Sequence, residues 1–198
     1  MRVSRETMAR HHEEIVAKAA IMLKERGIDG LSVADLMQAA GLTHGGFYRH
    51  FASKEALVAD ATTAAFADIV ERIERGTAKN GPASALRDYV TDYLSLAHVA
   101  DPAAGCPIAA YGTDVARQGA PVREAYAQGL DDVCSAIAGC FADSPARSRR
   151  LAREMITTMV GTVVTARATG DQQLAKSYLA AARTTVEQLM ARGTLKPN

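Results

Sequence analysis

The sequence lacks the features that a disulfide-stabilised, zinc-stabilised or membrane-spanning protein needs. Its three cysteines, Cys106, Cys134 and Cys140, form an odd number without a C-x-x-C spacing, which argues against a disulfide framework and a structural zinc site. No apolar run approaches the roughly 18 residues that cross a bilayer, and the first residues contain no apolar signal core. Together these absences predict a cytoplasmic protein with no membrane partner.

Neither sign of charge is in large excess, since Lys and Arg number 23 against 22 for Asp and Glu. A polybasic protein is therefore excluded, and any basic surface has to be local. Tryptophan is absent, proline occurs only 6 times in 198 residues, and no stretch alternates like a half-buried strand.

Apolar residues recur instead at helical spacing, which predicts an all-α fold of about nine helices. The fourth helix is expected to fray near Gly76 and to break at Asn80-Gly81-Pro82. The expected helices lie at about 7–26, 33–40, 43–51, 54–76, 86–97, 107–118, 121–141, 146–168 and 171–192.

Two of these helices are short and are separated only by Gly41-Leu42-Thr43. A short glycine-containing loop between two amphipathic helices is the helix-turn-helix pattern, whose second helix enters the major groove of DNA. Gly45 and Gly46 each cost that second helix roughly 1 kcal/mol relative to alanine. Close approach of the backbone to DNA would explain this cost, so the helix at 43–51 is the candidate reader of an operator.

The run from Gly41 to Leu57, GLTHGGFYRHFASKEAL, resembles the signature of the TetR family of bacterial transcriptional regulators. The specific resemblance covers residues 7 to 60. It implies a homodimeric protein, most commonly a repressor, that binds a palindromic double-stranded DNA operator. It also implies a helix-turn-helix domain at 1–52 and a C-terminal ligand-binding and dimerisation domain at 53–198.

Individual DNA contacts follow from the same resemblance, position by position. Gly46 departs from the family, which often carries Thr, Ser or Ala there. Arg49 is suited to pair bidentately with guanine. The implied contacts are to phosphate from Ser32, Thr43, Tyr48, His50 and Lys54, and to bases from His44, Gly45 and Arg49.

In this family, a small molecule that enters the C-terminal bundle releases the protein from DNA. The aromatic and methionine side chains of the later helices are candidates for lining such a pocket. A stripe of such residues at helical spacing is also what an ordinary core requires. The candidates are Phe66, Tyr89, Tyr93, Tyr111, Met155 and Met159.

Cys106 precedes Pro107 and is expected to cap the start of a helix, where the helix dipole favours a thiolate. The stretch 104–110 also resembles a Gly-Cys element of a TetR-family subgroup that includes sensors of electrophiles and oxidants. Cys106 is therefore a candidate redox or electrophile sensor, and the alternative is a small buried hydrophobe.

The last two helices have wide apolar faces and are expected to form a four-helix interface across a two-fold axis. Internal packing within one chain is the alternative. The faces consist of Leu151, Met155, Met159, Val163 and Ala166 on one helix, and Leu174, Leu179, Val186, Leu189 and Met190 on the other.

An enzyme is the main rival from another functional class. The sequence contains no Gly-x-Ser-x-Gly elbow, no phosphate-binding glycine loop and no His-Glu-x-x-His or Glu-x-x-His pair. We therefore expect neither catalysis nor a metal or cofactor. A helical interaction module without DNA binding is the other rival, and it would leave the glycine pair and the polar residues of 43–50 without a role.

Overall fold

Ten helices account for the secondary structure of residues 5–198, the part of the chain that this computed structural model describes. Within these residues no β-strand is present, and an isolated antiparallel bridge joins Phe141 to Leu195. The all-α prediction is confirmed. The helices are α1 (Arg5–Arg26), α2 (Val33–Ala39), a 3₁₀ helix (His44–Arg49), α3 (Lys54–Asn80), α4 (Pro82–Tyr93), α5 (Leu96–Ala100), α6 (Pro107–Val115), α7 (Ala120–Ala138), α8 (Pro145–Thr169) and α9 (Gln172–Arg192).

The extra helix arises because the segment predicted as one helix over 86–97 is two. Leu94 leaves the helical region at ψ 48°, and the Ser95 hydroxyl then accepts a hydrogen bond from the His98 N–H to begin α5. Gly76 does not end α3, contrary to expectation. It packs against α4, where an added Cβ would lie 3.2 Å from that of Ala85, and α3 continues to Asn80.

A first core joins the N-terminal helices to part of the C-terminal region. Its buried residues come from α1, α2, the 3₁₀ helix and the first half of α3, and Tyr111, Val115 and Val122 complete it from α6 and α7. The predicted division between 52 and 53 falls beside Ser53, whose hydroxyl caps α3 by accepting from the Ala56 N–H at 3.1 Å. Residues 1–4 of the predicted first domain lie outside the described residues.

The second and larger core is formed by the second half of α3 together with α4, α7, α8 and α9. It contains eight of the ten apolar residues predicted to face a second copy of the chain. Ala166 is buried outside it, and of the ten only Leu174 is exposed, at 45%. The residue assignment of that interface was therefore wrong, because α8 and α9 turn these faces towards each other and towards α7. Within the described chain, no helix combines the length and apolarity that crossing a membrane requires.

Candidate nucleic-acid interface and candidate ligand cavity

The turn between α2 and the 3₁₀ helix is fixed by backbone hydrogen bonds around Gly41. Gly41 adopts a φ of 69°, its N–H donates to the Gln38 carbonyl at 2.9 Å, and the Leu42 N–H donates to the Met37 carbonyl at 2.8 Å. This is a Schellman ending, which requires a left-handed residue after the helix and therefore favours glycine. At the other end of α2, the Ser32 hydroxyl accepts from the Asp35 N–H at 3.3 Å.

The second helix of the pair is shorter and tighter than expected. It is a six-residue 3₁₀ helix, His44–Arg49, in place of an α-helix reaching Phe51. Gly45 and Gly46 stand at its second and third positions and give the backbone little preference for the α conformation. Phe47 and Phe51 are buried and stacked with ring centroids 5.5 Å apart, so they hold the short helix against the first core.

The opposite side of the 3₁₀ helix faces solvent. Tyr48 is 71% exposed, which is unusual for so large an aromatic side chain in a protein without a partner. Its ring packs edge-on against Phe47 at 5.3 Å, so it is held in place although it is exposed. Of the other predicted DNA contacts, the exposed ones are Thr43, His44, Gly45 and Arg49, and the half-buried ones are Ser32, His50 and Lys54.

Two histidines of α1, which the sequence reasoning missed, stand beside this surface. The rings of His11 and His12 lie 6.2 Å and 6.4 Å from that of His50, and His12 stacks on Phe51 at 4.5 Å. Partial burial, followed by His12, His11 and Arg49, lowers the pKa of His50. Four of the five histidines occur between positions 11 and 50, a clustering that could have indicated this group.

A cavity of about 530 Å³ lies between the end of α1, the middle of α3 and the segment from Tyr93 to Cys106. Its inner wall is formed by Ala65, Ile69, Tyr93 and Cys106, all of which are buried. Charged side chains stand at its exposed rim: Asp68, Glu71, Arg72, Arg75, Asp92 and Asp101.

Only Tyr93 of the six predicted pocket residues lines this cavity. The others pack in the two cores because large apolar side chains at helical spacing fill the spaces between helices. Phe66, Tyr89, Met155 and Met159 belong to the larger core, and Tyr111 belongs to the first.

Cys106 caps the start of α6 as predicted, with Pro107 in the first turn. The expected thiolate is not favoured, because burial of this 4%-exposed residue raises the pKa of the thiol. Tyr93 and the N–H groups of Ala109 and Ile108 oppose that rise without cancelling it. Desolvation therefore outweighs the helix N-terminus at this position.

His98 holds the backbone of Cys106 in place. Its Nε2 accepts from the Cys106 N–H at 3.1 Å, and its Nδ1 lies 2.7 Å from the Tyr93 carbonyl, so the proton belongs on Nδ1. Burial is the main cause of the lowered pKa of His98. A Cβ at Gly105 would lie 2.9 Å from His98 Nε2 and 2.8 Å from Arg167 Nη2, which explains the glycine before the cysteine.

Two contacts connect the cavity to the N-terminal helices. Lys24 of α1 lines the cavity, and burial lowers its pKa. The helix α6 runs from Cys106 at the cavity to Asp114, whose Oδ2 accepts a hydrogen bond from the Ile28 N–H in the α1–α2 turn at 3.0 Å. Between these two ends α6 is bent at Tyr111, whose φ of −138° is not helical.

Both the N-terminal and the C-terminal part of the chain match models of known protein families. Residues 15–61 match the model of bacterial regulatory proteins of the tetR family, and residues 82–182 match the tetracyclin repressor-like C-terminal domain.

Two curated relatives match only around the helix-turn-helix. The HTH-type transcriptional repressor KstR2 of Mycobacterium tuberculosis is 44% identical over 45 residues, which is 23% of this chain and 22% of the relative. The uncharacterized HTH-type transcriptional regulator YvdT of Bacillus subtilis is 38% identical over 47 residues, which is 24% of each. The matched part thus spans about a quarter of the length of these relatives.

Solved structures match over nearly the whole chain. A TetR transcriptional regulator from Chloroflexus aurantiacus is 26% identical with a TM-score of 0.75, covering 96% of this chain and 100% of that one. The reduced form of Escherichia coli NemR is 19% identical with a TM-score of 0.70, covering 88% and 96%. At that lower identity the likeness concerns the fold alone.

Proposed function

Since this chain belongs to the TetR family of bacterial regulatory proteins, we propose that it is a cytoplasmic repressor that binds a palindromic operator as a homodimer. It is a transcriptional regulator with a helix-turn-helix domain and not an enzyme. The observation that carries the repressor proposal is the solvent-facing side of the 3₁₀ helix. There an exposed tyrosine, an arginine and a glycine with free space around it share one surface.

This surface is suited to the major groove in two ways. Gly45 has no atom within 4 Å of where a Cβ would stand, so its backbone can approach base edges closely. His44 and Arg49 are exposed beside it and can donate to base edges, Arg49 in the bidentate geometry that guanine accepts. Phosphates would be held around them by Ser32, Thr43, Tyr48, His50 and Lys54.

Release from the operator requires a ligand that prefers the form unable to bind DNA, and DNA then weakens ligand binding by the same factor. We place that ligand in the cavity between α1, α3 and Cys106, because Lys24 and α6 connect it to the helix-turn-helix. The signal is a small molecule or a thiol-reactive agent that modifies Cys106. Either would displace α6 and alter the spacing of recognition helices that must match half-sites about 34 Å apart.

Operator binding is tested by titrating the full-length protein against DNA fragments flanking its own gene at several salt concentrations. We expect tight, salt-sensitive binding to one fragment, because phosphate contacts release counterions. Changing Tyr48 and Lys54 together to alanine should abolish it, and Lys54→Ala alone should lower the salt slope by about one. Ile21→Ala, at an exposed apolar position of α1, is the control. Unchanged binding by the double variant would contradict the proposed docking.

The signal is tested by adding an oxidant, diamide, to the operator complex. We expect release in the unaltered protein, recovery with a reductant, and no release in Cys106→Ser. Cys134→Ser is the matched control, because Cys134 is equally buried but lies on α7 away from the cavity wall. Equal release from Cys106→Ser would remove Cys106 from the mechanism and leave a non-covalent ligand as the signal.

A further inference from the structure

Three histidine rings meet beside the solvent-facing side of the 3₁₀ helix. His11 and His12 belong to α1, His50 follows the last residue of the 3₁₀ helix, and the two α1 rings lie 6.2 and 6.4 Å from that of His50. All three residues are half-buried, and the chain neighbours of His50 at 48 and 49 are exposed. This histidine cluster therefore borders the surface that we propose for DNA.

The surroundings of His50 disfavour a positive charge on its ring. Partial burial lowers its pKa most, and His12, His11 and Arg49 lower it further because each is a cation or becomes one when protonated. An anion within about 4–6 Å would reverse this balance, since an opposite charge favours the protonated imidazole. The cluster thus gathers several groups that an anion would stabilise together.

The carboxylates of the neighbouring helices do not supply that anion to His50. Among the described residues, the carboxylate that contacts the cluster is Asp60 of α3, whose Oδ2 lies 3.7 Å from His12 Nε2. This contact leaves the Nδ1 of His12 for another partner. On α1, Glu14 pairs with Arg10 at 3.7 Å. Within the described part of the chain, no carboxylate is paired with His50, so an external anion has three rings to bind.

The spacing of the rings suits a phosphate group better than a metal ion. Two histidines on one zinc ion stand closer than the 6.2 Å between His11 and His50, because each Zn–N bond is only about 2.0–2.1 Å long. Hydrogen bonds from two ring N–H groups to the oxygens of one phosphate are about 2.8 Å long and span a wider gap. The DNA backbone brings such a group to the side of the helix where Tyr48 is exposed.

The charge of this part of the chain points in the same direction. Residues 1–55 contain eight Lys and Arg and seven Asp and Glu, so without its histidines the DNA-binding part is nearly uncharged. Affinity for DNA depends strongly on cations that neutralise phosphates. Four of the five histidines occur in these residues, and their protonation would raise the formal net charge from +1 to +5.

We infer that His11, His12 and His50 together bind one phosphate of the DNA backbone and take up protons from solvent when they do so. The inference rests on the proposed operator binding and adds two contacts from α1 and a dependence on pH. The phosphate supplies the negative charge that the cluster lacks, so phosphate binding and protonation each favour the other. Because the complex holds more protons than the free protein, operator affinity increases as the pH falls.

The pH dependence of DNA binding tests this site. Dissociation constants of the full-length protein for its operator fragment are measured at pH 6.0, 7.0 and 8.0 at constant ionic strength. We expect the affinity at pH 6.0 to exceed that at pH 8.0 by about tenfold or more, because each proton taken up contributes up to tenfold per pH unit. Equal affinity at the three pH values overturns the inference.

The double change His11→Gln and His12→Gln assigns the effect to the cluster. It removes both α1 rings and should weaken binding by about tenfold at pH 6.0, but by no more than about twofold at pH 8.0, where the rings are uncharged. His44→Gln is the matched control, since His44 is an exposed histidine at the other end of the same 3₁₀ helix. It should retain the pH dependence, whatever its effect on affinity. A pH dependence that survives the double change, or that is lost equally in His44→Gln, overturns the inference.

Proton uptake is also measured in the unaltered protein, so this readout does not depend on the folding of a variant. Calorimetric titration of the protein with its operator fragment at pH 7.0, in two buffers of different ionisation enthalpy, gives the number of protons taken up. We expect on the order of one proton per protomer. Operator binding without proton uptake overturns this inference and leaves the repressor proposal standing. A protein that binds no operator fragment at any pH overturns the repressor proposal and this inference with it.

Discussion

At the scale of single residues, burial decides the chemistry of the cavity wall more than sequence neighbours do. Cys106 has the helix start that was expected to favour a thiolate, yet burial raises the pKa of its thiol. Burial likewise lowers the pKa of His98. A neutral His98 suits its hydrogen bonds, because its Nε2 must accept from the Cys106 N–H.

Acid should therefore destabilise the region around His98. Its pKa in the folded protein lies below the ordinary value of 6.5, so the unfolded state binds the extra proton more readily. The stability that neutral His98 contributes is complete above about pH 6.5 and is lost as the pH falls through the lower folded pKa. Urea unfolding at pH 7.5, 6.5 and 5.5 should show a steeper loss in the unaltered protein than in His98→Gln.

Glutamine is a suitable comparison because its carbonyl can accept from Cys106 and it does not titrate. His50, whose pKa is also lowered, remains in both proteins and so cancels from the difference. If the free energies of unfolding of the two proteins changed with pH in the same way, protonation of His98 would not destabilise the folded protein.

At the scale of elements, the 3₁₀ helix is short because Gly45 and Gly46 lower its helix propensity. In exchange they leave its backbone open to close approach by DNA. Neither Gly45 nor Gly46 has a positive φ, so the backbone itself does not require glycine at either position. An added Cβ would meet nothing at Gly45, and at Gly46 it would touch Met37 Cε and Thr43 Oγ1 at an ordinary 3.6 Å. The reason for glycine at the exposed position must therefore lie outside the free protein.

Substituting alanine at Gly45 or at Gly46 distinguishes an effect of glycine on stability from an effect on operator binding. Gly45→Ala and Gly46→Ala should each raise the free energy of unfolding by about 0.4–1 kcal/mol, because alanine restricts the unfolded chain. Gly45→Ala alone should weaken operator binding by about 1–3 kcal/mol, since its methyl group would stand between the backbone and the base edges. Gly46 is half-buried and faces the protein, so Gly46→Ala is the matched control.

Thermal unfolding and DNA titration of both variants measure the two effects. Equal operator affinity in Gly45→Ala and the unaltered protein would mean that the 3₁₀ helix does not approach DNA at this residue.

At the scale of the whole molecule, the surface for a second copy must differ from the faces that the periodicity suggested. All residues of those faces except Leu174 are buried within the chain. The large apolar side chains left exposed on α8 and α9 are Leu174 itself and two residues that were not predicted, Val164 and Tyr178, each at 44–45%. Gly161 of α8 is also exposed, with nothing within 4 Å of an added Cβ, which allows close approach of another helix. A two-fold interface through the last two helices would use this second set.

The double change Leu174→Glu and Tyr178→Glu should therefore produce a monomer, because it places charges four residues apart on one face of α9. Operator affinity should fall by on the order of a hundredfold, as one half-site can no longer support the other. Ile21→Glu, at a position of α1 that is 47% exposed, is the control and should stay dimeric.

Sedimentation velocity and titration against a palindromic fragment measure both outcomes. A double variant that remains dimeric would locate the interface elsewhere. A change at Leu151 or Met155 would not test the interface, because both are fully buried and their loss would unfold the chain.

The sequence alone determined the all-α class, the helix start at Cys106 and the turn at Gly41, because these depend on a few neighbouring residues. The three residues that the resemblance assigned to base contacts, His44, Gly45 and Arg49, are exposed, because Phe47 and Phe51 hold the opposite side of the short helix in the core. What decides these features is local backbone geometry and helical periodicity.

Only the tertiary structure decided which apolar faces meet within one chain, and it brought His11, His12 and His50 together. It also placed Tyr93 on the wall of the cavity beside Cys106, whereas the five other residues proposed for a pocket do not line that cavity. The sequence pattern of apolar side chains at helical spacing is the same whether they face a core, a cavity or a partner chain. Burial, pKa and hydrogen-bond pairing are set by residues distant in the chain, and local sequence does not encode them.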